Sequence, residues 1–220
     1  VDRFDYEERK AYVRRVECDY YTDAIDYTKV QVLEEFESEP LGGARKVHGD
    51  VRVNRQIVGF KKIKFYTSEN VGAGKLSMPE QEMHTTAFWI HFPAEFLAGF
   101  SDLTPTEKQN GMTGLSHALR TVASLLLMCD PHDLGTSLSE EIAGGLESFA
   151  PNLYLYDNYP GGVGLSAPLY RLASKLVAQT AELLAGCPCE AGCPSCVGPI
   201  GEVGERGKEV AARMLAGLAG

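Results

Sequence analysis

No apolar run in these 220 residues approaches the roughly 18 needed to cross a bilayer, so no membrane span is expected. The longest run, around Leu125-Leu-Leu-Met-Cys129, belongs to an amphipathic pattern. The amino end, Val1 to Lys10, has no apolar core of the kind a signal peptide carries and no starting methionine. That points to a piece of a longer protein. Basic residues are in short supply: 21 Lys+Arg against 30 Asp+Glu leave a net charge of −9. This excludes a generally basic nucleic-acid coat but not a local basic face. A phosphate loop is missing too. Gly72-Ala-Gly-Lys75 has Glu69 five positions before Gly74 and Leu76 where a hydroxyl is required, and no Lys-Ser/Thr follows the glycines of 161–164. What remains is ordinary for a globular chain, with 44% hydrophobic and 23% charged residues and length for one large domain or two small ones.

Cysteines number only six, and four of them fall in Cys187-Pro-Cys189-Glu-Ala-Gly-Cys193-Pro-Ser-Cys196. Four soft sulfurs so close suit a tetrahedral ion with metal–sulfur bonds of about 2.3 Å. Cys193-Pro-Ser-Cys196 has the spacing of a zinc knuckle, and Gly192 permits φ > 0 where the chain doubles back. An iron–sulfur cluster, or two local disulfides, are the competing uses of the same residues. Disulfides this close in sequence are strained, because bridged Cα atoms sit about 4.4–6.8 Å apart. The usage fits a reducing compartment, the cytoplasm, with Cys18 and Cys129 left over as buried small apolar residues.

Residues 1–100 read as a β-rich segment. Lys10–Tyr21 and Tyr27–Phe36 carry β-branched and aromatic residues in partial alternation, and Pro40–Gly43 reads as a turn. Arg45–Val53 and Gln56–Tyr66 read as a hairpin bending at Asn54-Arg55, and Thr85–Phe92 as a further strand. Five or six short strands suggest a small antiparallel sheet or a partly open barrel. Charge is uneven: Val1–Pro40 has 12 Asp+Glu against 6 Lys+Arg, whereas Arg45–Lys75 has 8 Lys+Arg against 2 acids. Arg45, Lys46, Arg52, Arg55, Lys61, Lys62 and Lys64 are the candidate nucleic-acid contacts. Period 2 puts Lys62 and Lys64 on one strand face and Ile63 and Phe65 on the other. A solvated strand face explains the same residues equally well.

Residues 101–220 read as a mainly helical domain with one short strand. Thr104 or Thr106 can cap a helix with Leu115, Leu119, Val122 and Leu126 on its apolar stripe, ending near Asp130-Pro131. His117 reads as a hydrogen-bonded structural residue, and His132 and Asp133 as partners in local turn bonds. Asn152–Asp157 is the strand. Gly161, Gly162 and Gly164 read as a tight turn requiring φ > 0, leading into a helix from about Ser166 to Leu184. A last helix runs from about Val203 to Leu218. The whole is α+β, and no catalytic constellation is present.

Three stretches together resemble a known family. They are Gly114-Leu-Ser-His-Ala-Leu119, Leu155-Tyr-Asp-Asn-Tyr-Pro-Gly-Gly-Val-Gly-Leu165 and the four-cysteine motif, with Lys61–Phe65 and Pro79–Thr86 as the β-rich lead-in. The chain is similar to the C-terminal zinc-binding (MZB) domain of MrfA-type superfamily 2 DNA helicases. The resemblance implies one structural Zn²⁺ on Cys187, Cys189, Cys193 and Cys196. It also implies a parent protein that is an ATP-dependent 3′–5′ DNA helicase acting in repair, with ATP and Mg²⁺ held by an upstream motor. Walker A, an Asp-Glu-x-His box and an arginine finger are missing here, so the fragment alone is not expected to be an enzyme. Its expected partners are that motor and DNA, single-stranded above all. A zinc-structured protein-interaction module without DNA contact is the alternative; a redox role for the thiols is a third.

Overall fold

A computed structural model describes residues 1–67, 69–139 and 151–219. Its elements run β1 (Arg3–Asp5), β2 (Lys10–Tyr12), β3 (Tyr20–Leu41), β4 (Ala44–Lys64), β5 (Asn70–Lys75), β6 (Gln81–His91), α1 (Ala94–Ala98) and α2 (Pro105–Leu127). A 3₁₀ turn (Pro131–Asp133), β7 (Leu134–Ser139), β8 (Asn152–Asp157), α3 (Ser166–Arg171), α4 (Ala173–Gly186), α5 (Ile200–Val203) and α6 (Gly207–Ala216) follow. One compact unit is formed by Val1–Lys29 and Asn54–Glu82, the other by Val30–Val53 and Met83–Gly220. The strands of the first hundred residues are therefore divided between both units.

The larger unit is organised by alternation along β6 and β8. These strands pair antiparallel from Ala87↔Tyr156 to His91↔Asn152. Period 2 sends Phe88, Ile90, Leu153 and Leu155 to one face, where α2, α4 and α6 supply the opposing apolar side chains. Ala87, Trp89, Tyr154 and Tyr156 go to the other face and meet Val47, Val51 and Val53 of β4, with Val30 and Val32 of β3 alongside. The sheet thus curls over its own second face in the manner of a partly open barrel. With both faces covered, every residue of β8 is buried. The α+β class with an antiparallel β-rich N-terminal half is the architecture found. The helical half, however, holds two strands. β7 pairs with β8 along its whole length, and Gly135 is bare because the Tyr156 ring occupies the space a side chain would need.

The first hundred residues depart from the expected short strands. β3 and β4 are 22 and 21 residues long and join through the two residues Gly42-Gly43. No hairpin turn falls at Asn54-Arg55: both residues lie within β4. Their side chains bond within the smaller unit, Asn54 donating to Glu80 at 2.8 Å and Arg55 to Asp26 at 3.0 Å. The bend is instead at Gly42, whose φ of 55° only glycine takes cheaply and whose Cα has the backbone of Gly217-Leu218 against it. Lys10–Tyr21 yields strand only at Lys10–Tyr12 before β3 begins at Tyr20. Gly72–Lys75 lies in β5, paired with β4, and Gly74 is bare because the Phe60 ring lies over it.

α2 starts as expected. Thr104 accepts from the Glu107 amide at 3.2 Å while the Glu107 carboxylate accepts from the Thr104 amide at 2.8 Å, a reciprocal capping box. Those bonds, joined by one from Arg206, hold the Glu107 carboxyl down to about 2. The helix stops at Leu127, before Pro131 can act, because Met128 turns into the left-handed region at φ 53°. Leu115, Leu119 and Val122 are buried on the stripe. The two later helices are each interrupted, α3 from α4 at Leu172 and α5 from α6 around Gly204 at φ 70°.

Gly111 of α2 sits where a Cβ would run into Val210 of α6. Alanine is worth about 1 kcal/mol more than glycine in a helix, but forcing atoms into a packed seam costs about 1–3 kcal/mol. The seam wins, and Gly111→Ala should lower the thermal midpoint; a raised midpoint would show that the helices part without cost.

Candidate metal centre

The cysteine loop is shaped by the residues around its thiols. α4 ends at Gly186 and Cys187 leaves it extended (φ −76°, ψ 126°), its amide still bonded to Leu183 O at 3.1 Å. Gly192 takes φ 147° with Val197 pressed on its Cα, so the chain reverses there. The knuckle follows: the amides of Cys196 and Gly198 both bond Cys193 O at 3.0 Å. The Ser195 amide donates to the Cys193 sulfur. Gly198 at φ 98° then releases the chain into α5.

These turns bring the four Sγ atoms within 4.8 Å of one another. Cys187–Cys189, Cys187–Cys193, Cys189–Cys196 and Cys193–Cys196 lie 3.5, 3.6, 3.4 and 3.6 Å apart. Four sulfurs about 2.3 Å from one tetrahedral ion would lie about 3.8 Å from each other. The fit is to a single ion. The separations are well beyond the roughly 2.05 Å of a disulfide, and all six cysteines are free thiols. They are also too short for a multi-iron cluster, whose four thiolates are spread over two or more irons. Cys196 is buried and the other three ligands half-buried. Crowding out of water, with the neighbouring sulfurs, pushes Cys189 up to about 12, and burial pushes Cys196 up as well. The Ser195 amide and the adjacent thiols pull Cys193 down to about 7. Thiols poised to share protons this way release them when a dication arrives.

Two further side chains hold the loop. Lys208 of α6 donates from Nζ to the carbonyls of Cys187 and Cys189, each at 2.7 Å, and its amide reaches Ala191 O at 3.0 Å. His117 of α2 has Nδ1 3.1 Å from Cys196 O; a carbonyl only accepts, so Nδ1 carries the proton. His117 is thus the hydrogen-bonded structural residue that sequence suggested, while nothing in the spacing of the last helix singles out Lys208. The expected apolar role of Cys129 fits its half-buried place beside the core, where burial raises its thiol. Cys18 does not fit: it is exposed, with Sγ 3.3 Å from Tyr20 O. It lies just before β3, where no neighbouring residue belongs to a buried cluster among the described residues.

The glycine turn has φ of 81°, 74° and 86° at Gly161, Gly162 and Gly164. It does present a cradle of amides ahead of a helix, but the cradle is filled from within. Asp157, fully buried, accepts from the amides of Val163, Gly164, Leu165 and Ser166 at 2.8, 2.7, 3.0 and 3.0 Å. A carboxylate ending a strand just before Pro-Gly-Gly-Val-Gly was the available signal. His132 and Asp133 make the local bonds expected of them, His132 to Asp130 at 2.7 Å and Asp133 to the Asp130 amide at 2.9 Å.

The seven basic candidates all lie on β4 but in different surroundings. Arg45 reaches Glu35 at 3.3 Å and Ser38 at 2.9 Å. Lys46 reaches Glu39 at 2.9 Å and caps the Tyr170 ring at 4.3 Å. Arg52 donates to His84 at 3.3 Å, and Arg55 pairs with Asp26. Lys62 lies 4.9 Å over the Tyr20 ring. Among the described residues Lys61, Lys62 and Lys64 have no carboxylate partner.

Residues 115–197, which contain His117, Asp157 and all four cysteines, match the family model of the MrfA Zn-binding domain, MZB. The chain carries an MrfA-type zinc-binding domain. The MZB cysteines hold one structural zinc. With four thiolates it has no open position, so the ion fixes the fold and does not activate water. Relatives agree beyond the matched segment. An uncharacterized ATP-dependent helicase, YprA of Bacillus subtilis, is 35% identical over 198 residues, which is 90% of this chain and 26% of that protein. The ATP-dependent helicase HRQ1 of Saccharomyces cerevisiae is 23% identical over 210 residues, 90% of this chain and 19% of its own length. A crystal structure of the DUF1998 helicase MrfA bound to DNA superimposes with a TM-score of 0.69 at 34% identity, over 99% of this chain and 28% of that one. The chain spans about a quarter or less of the length of the curated helicases it matches. Lys208 falls outside the MZB match, although it closes the carbonyl side of the cluster.

Two measurements check the site. Metal analysis should return one zinc per chain, and a chelator should strip it faster as pH falls, because the released thiolates take up protons. Cys193→Ser should lower both zinc content and melting temperature; full occupancy in that variant would remove Cys193 from the ligand set. Asp157→Asn turns an amide donor toward the buried N–H groups the carboxylate now serves. Each orphaned donor costs about 1–3 kcal/mol, so a loss of roughly 2 kcal/mol or more is expected in denaturant unfolding.

Proposed function

We propose that this chain is a zinc-stapled accessory module of an ATP-dependent 3′–5′ DNA helicase that acts in cytoplasmic DNA repair. The ATPase motor lies elsewhere in the parent chain. The module engages DNA, single-stranded above all, and couples that contact to the motor, with residues 1–100 as the β-rich accessory segment and 101–220 as the zinc domain. The observation that carries this reading is the closed tetrathiolate site, which builds structure and offers no place for chemistry. The similarity of nearly the whole chain to a helicase crystallised with DNA supports DNA as the partner. The amide cradle at Gly161–Gly164, which suggests a place for nucleotide phosphate, is taken by Asp157. Arg45, Lys46 and Arg55 have carboxylate partners. Lys61, Lys62 and Lys64 are therefore the residues assigned to phosphate.

Binding of the isolated chain to an oligo-dT strand at two salt concentrations tests this. Three neutralised phosphates on a single strand give a slope near −2, so a fourfold rise in salt should weaken binding about twentyfold. Replacing Lys61, Lys62 and Lys64 with alanine should flatten that slope. No binding at low salt, or binding indifferent to salt, would refute direct DNA contact and favour a module that touches only proteins.

A further inference from the structure

The turn joining β4 to β5 holds an arrangement that folding does not account for. Tyr66 stands at φ 67°, a region a bulky residue enters only at a cost, and its side chain is fully exposed. Phe65 beside it is about half exposed, its ring 6.4 Å from Tyr66 and 5.7 Å from Tyr21, which is also about half exposed. Backbone bonds hold the described residues on either side: Lys64 N to Glu69 O at 2.9 Å, Phe65 N to Asp19 O at 2.8 Å and Thr67 N to Phe65 O at 2.8 Å. Phe65 and Tyr66, immediately after Lys61, Lys62 and Lys64, thus join Tyr21 in a row of three rings open to water in part or in full. Burying an aromatic would stabilise the fold, whereas the Tyr66 side chain is left in water.

We infer that the Phe65-Tyr66 turn is a base-stacking tip that takes an unpaired nucleobase, with Lys61, Lys62 and Lys64 on the adjoining phosphates. Rings take any base, because every base has a π-face, and ammonium groups follow the backbone without reading sequence. A duplex buries its base faces in its own stack, so the ligand is a single strand. This inference rests on the DNA-engaging reading above and adds to it which residue meets the bases.

The full chain is titrated into a fluorescein-labelled oligo-dT strand over a salt series. Tyr66→Ala should weaken binding about tenfold, within the range of one lost base stack, and leave the salt slope unchanged. Tyr66→Phe should bind like the parent, since a ring is all that stacking requires. Tyr66 is exposed, so both variants keep the fold, checked by unchanged far-ultraviolet circular dichroism. If the parent chain binds with a steep salt slope and Tyr66→Ala binds equally well, the stacking tip is overturned while the DNA-engaging reading stands. An equal loss in Tyr66→Phe, or equal competition by duplex, overturns it as well. Absence of binding by the parent chain overturns both.

Discussion

Four thiolates of like charge held 3.4–3.6 Å apart are the constraint on which the helical half depends. The loop that bears them is short and rich in glycine and proline, with no apolar side chains of its own to bury beyond Val197. Without a dication it gathers charge or shared protons where water is scarce. With zinc the site still carries two negative charges, and the surroundings answer them with the Ser195 amide at a sulfur and, on the carbonyl side, with the Lys208 ammonium and His117. α2, α4 and α6 each end on this cluster or donate to it. The metal thus sets how three helices meet, and their apolar faces then close on one side of the sheet.

The same logic, a buried anion used as a fastener, recurs at Asp157. Its carboxylate gathers four consecutive amides at the start of α3 and ties the helix to the end of β8. β8 is itself covered on both faces, so strand and helix cannot part without exposing that charge. What resembles a phosphate cradle is a closed internal joint. In both fasteners the polar groups are engaged within the fold itself.

The local signals were the legible ones. A capping box at Thr104 and Glu107, a helical stripe from Leu115 to Val122, the strand Asn152–Asp157 and left-handed glycines at 161–164 each depend on residues a few positions apart. The four cysteines were legible for the same reason. Long-range pairing was not. Asn54 and Arg55 find Glu80 and Asp26 only in the folded chain, and β7 exists because β8 lies beside it. Cys18 is exposed in the stretch that leads into β3. Lys208 finds the cysteine carbonyls only after α6 has folded back, and the basic residues of β4 divide into paired and unpaired sets only once β3 places its acids.

The central claim is that zinc is the clasp of the helical half and not of the sheet. Amide hydrogen exchange on the full chain, measured before and after chelation, tests this most directly. The account predicts that protection collapses first from Cys187 to Lys208 and in α6, while the paired amides of β6 and β8 stay protected. Protection unchanged at Cys187–Lys208, or lost equally in β6 and β8, would contradict it.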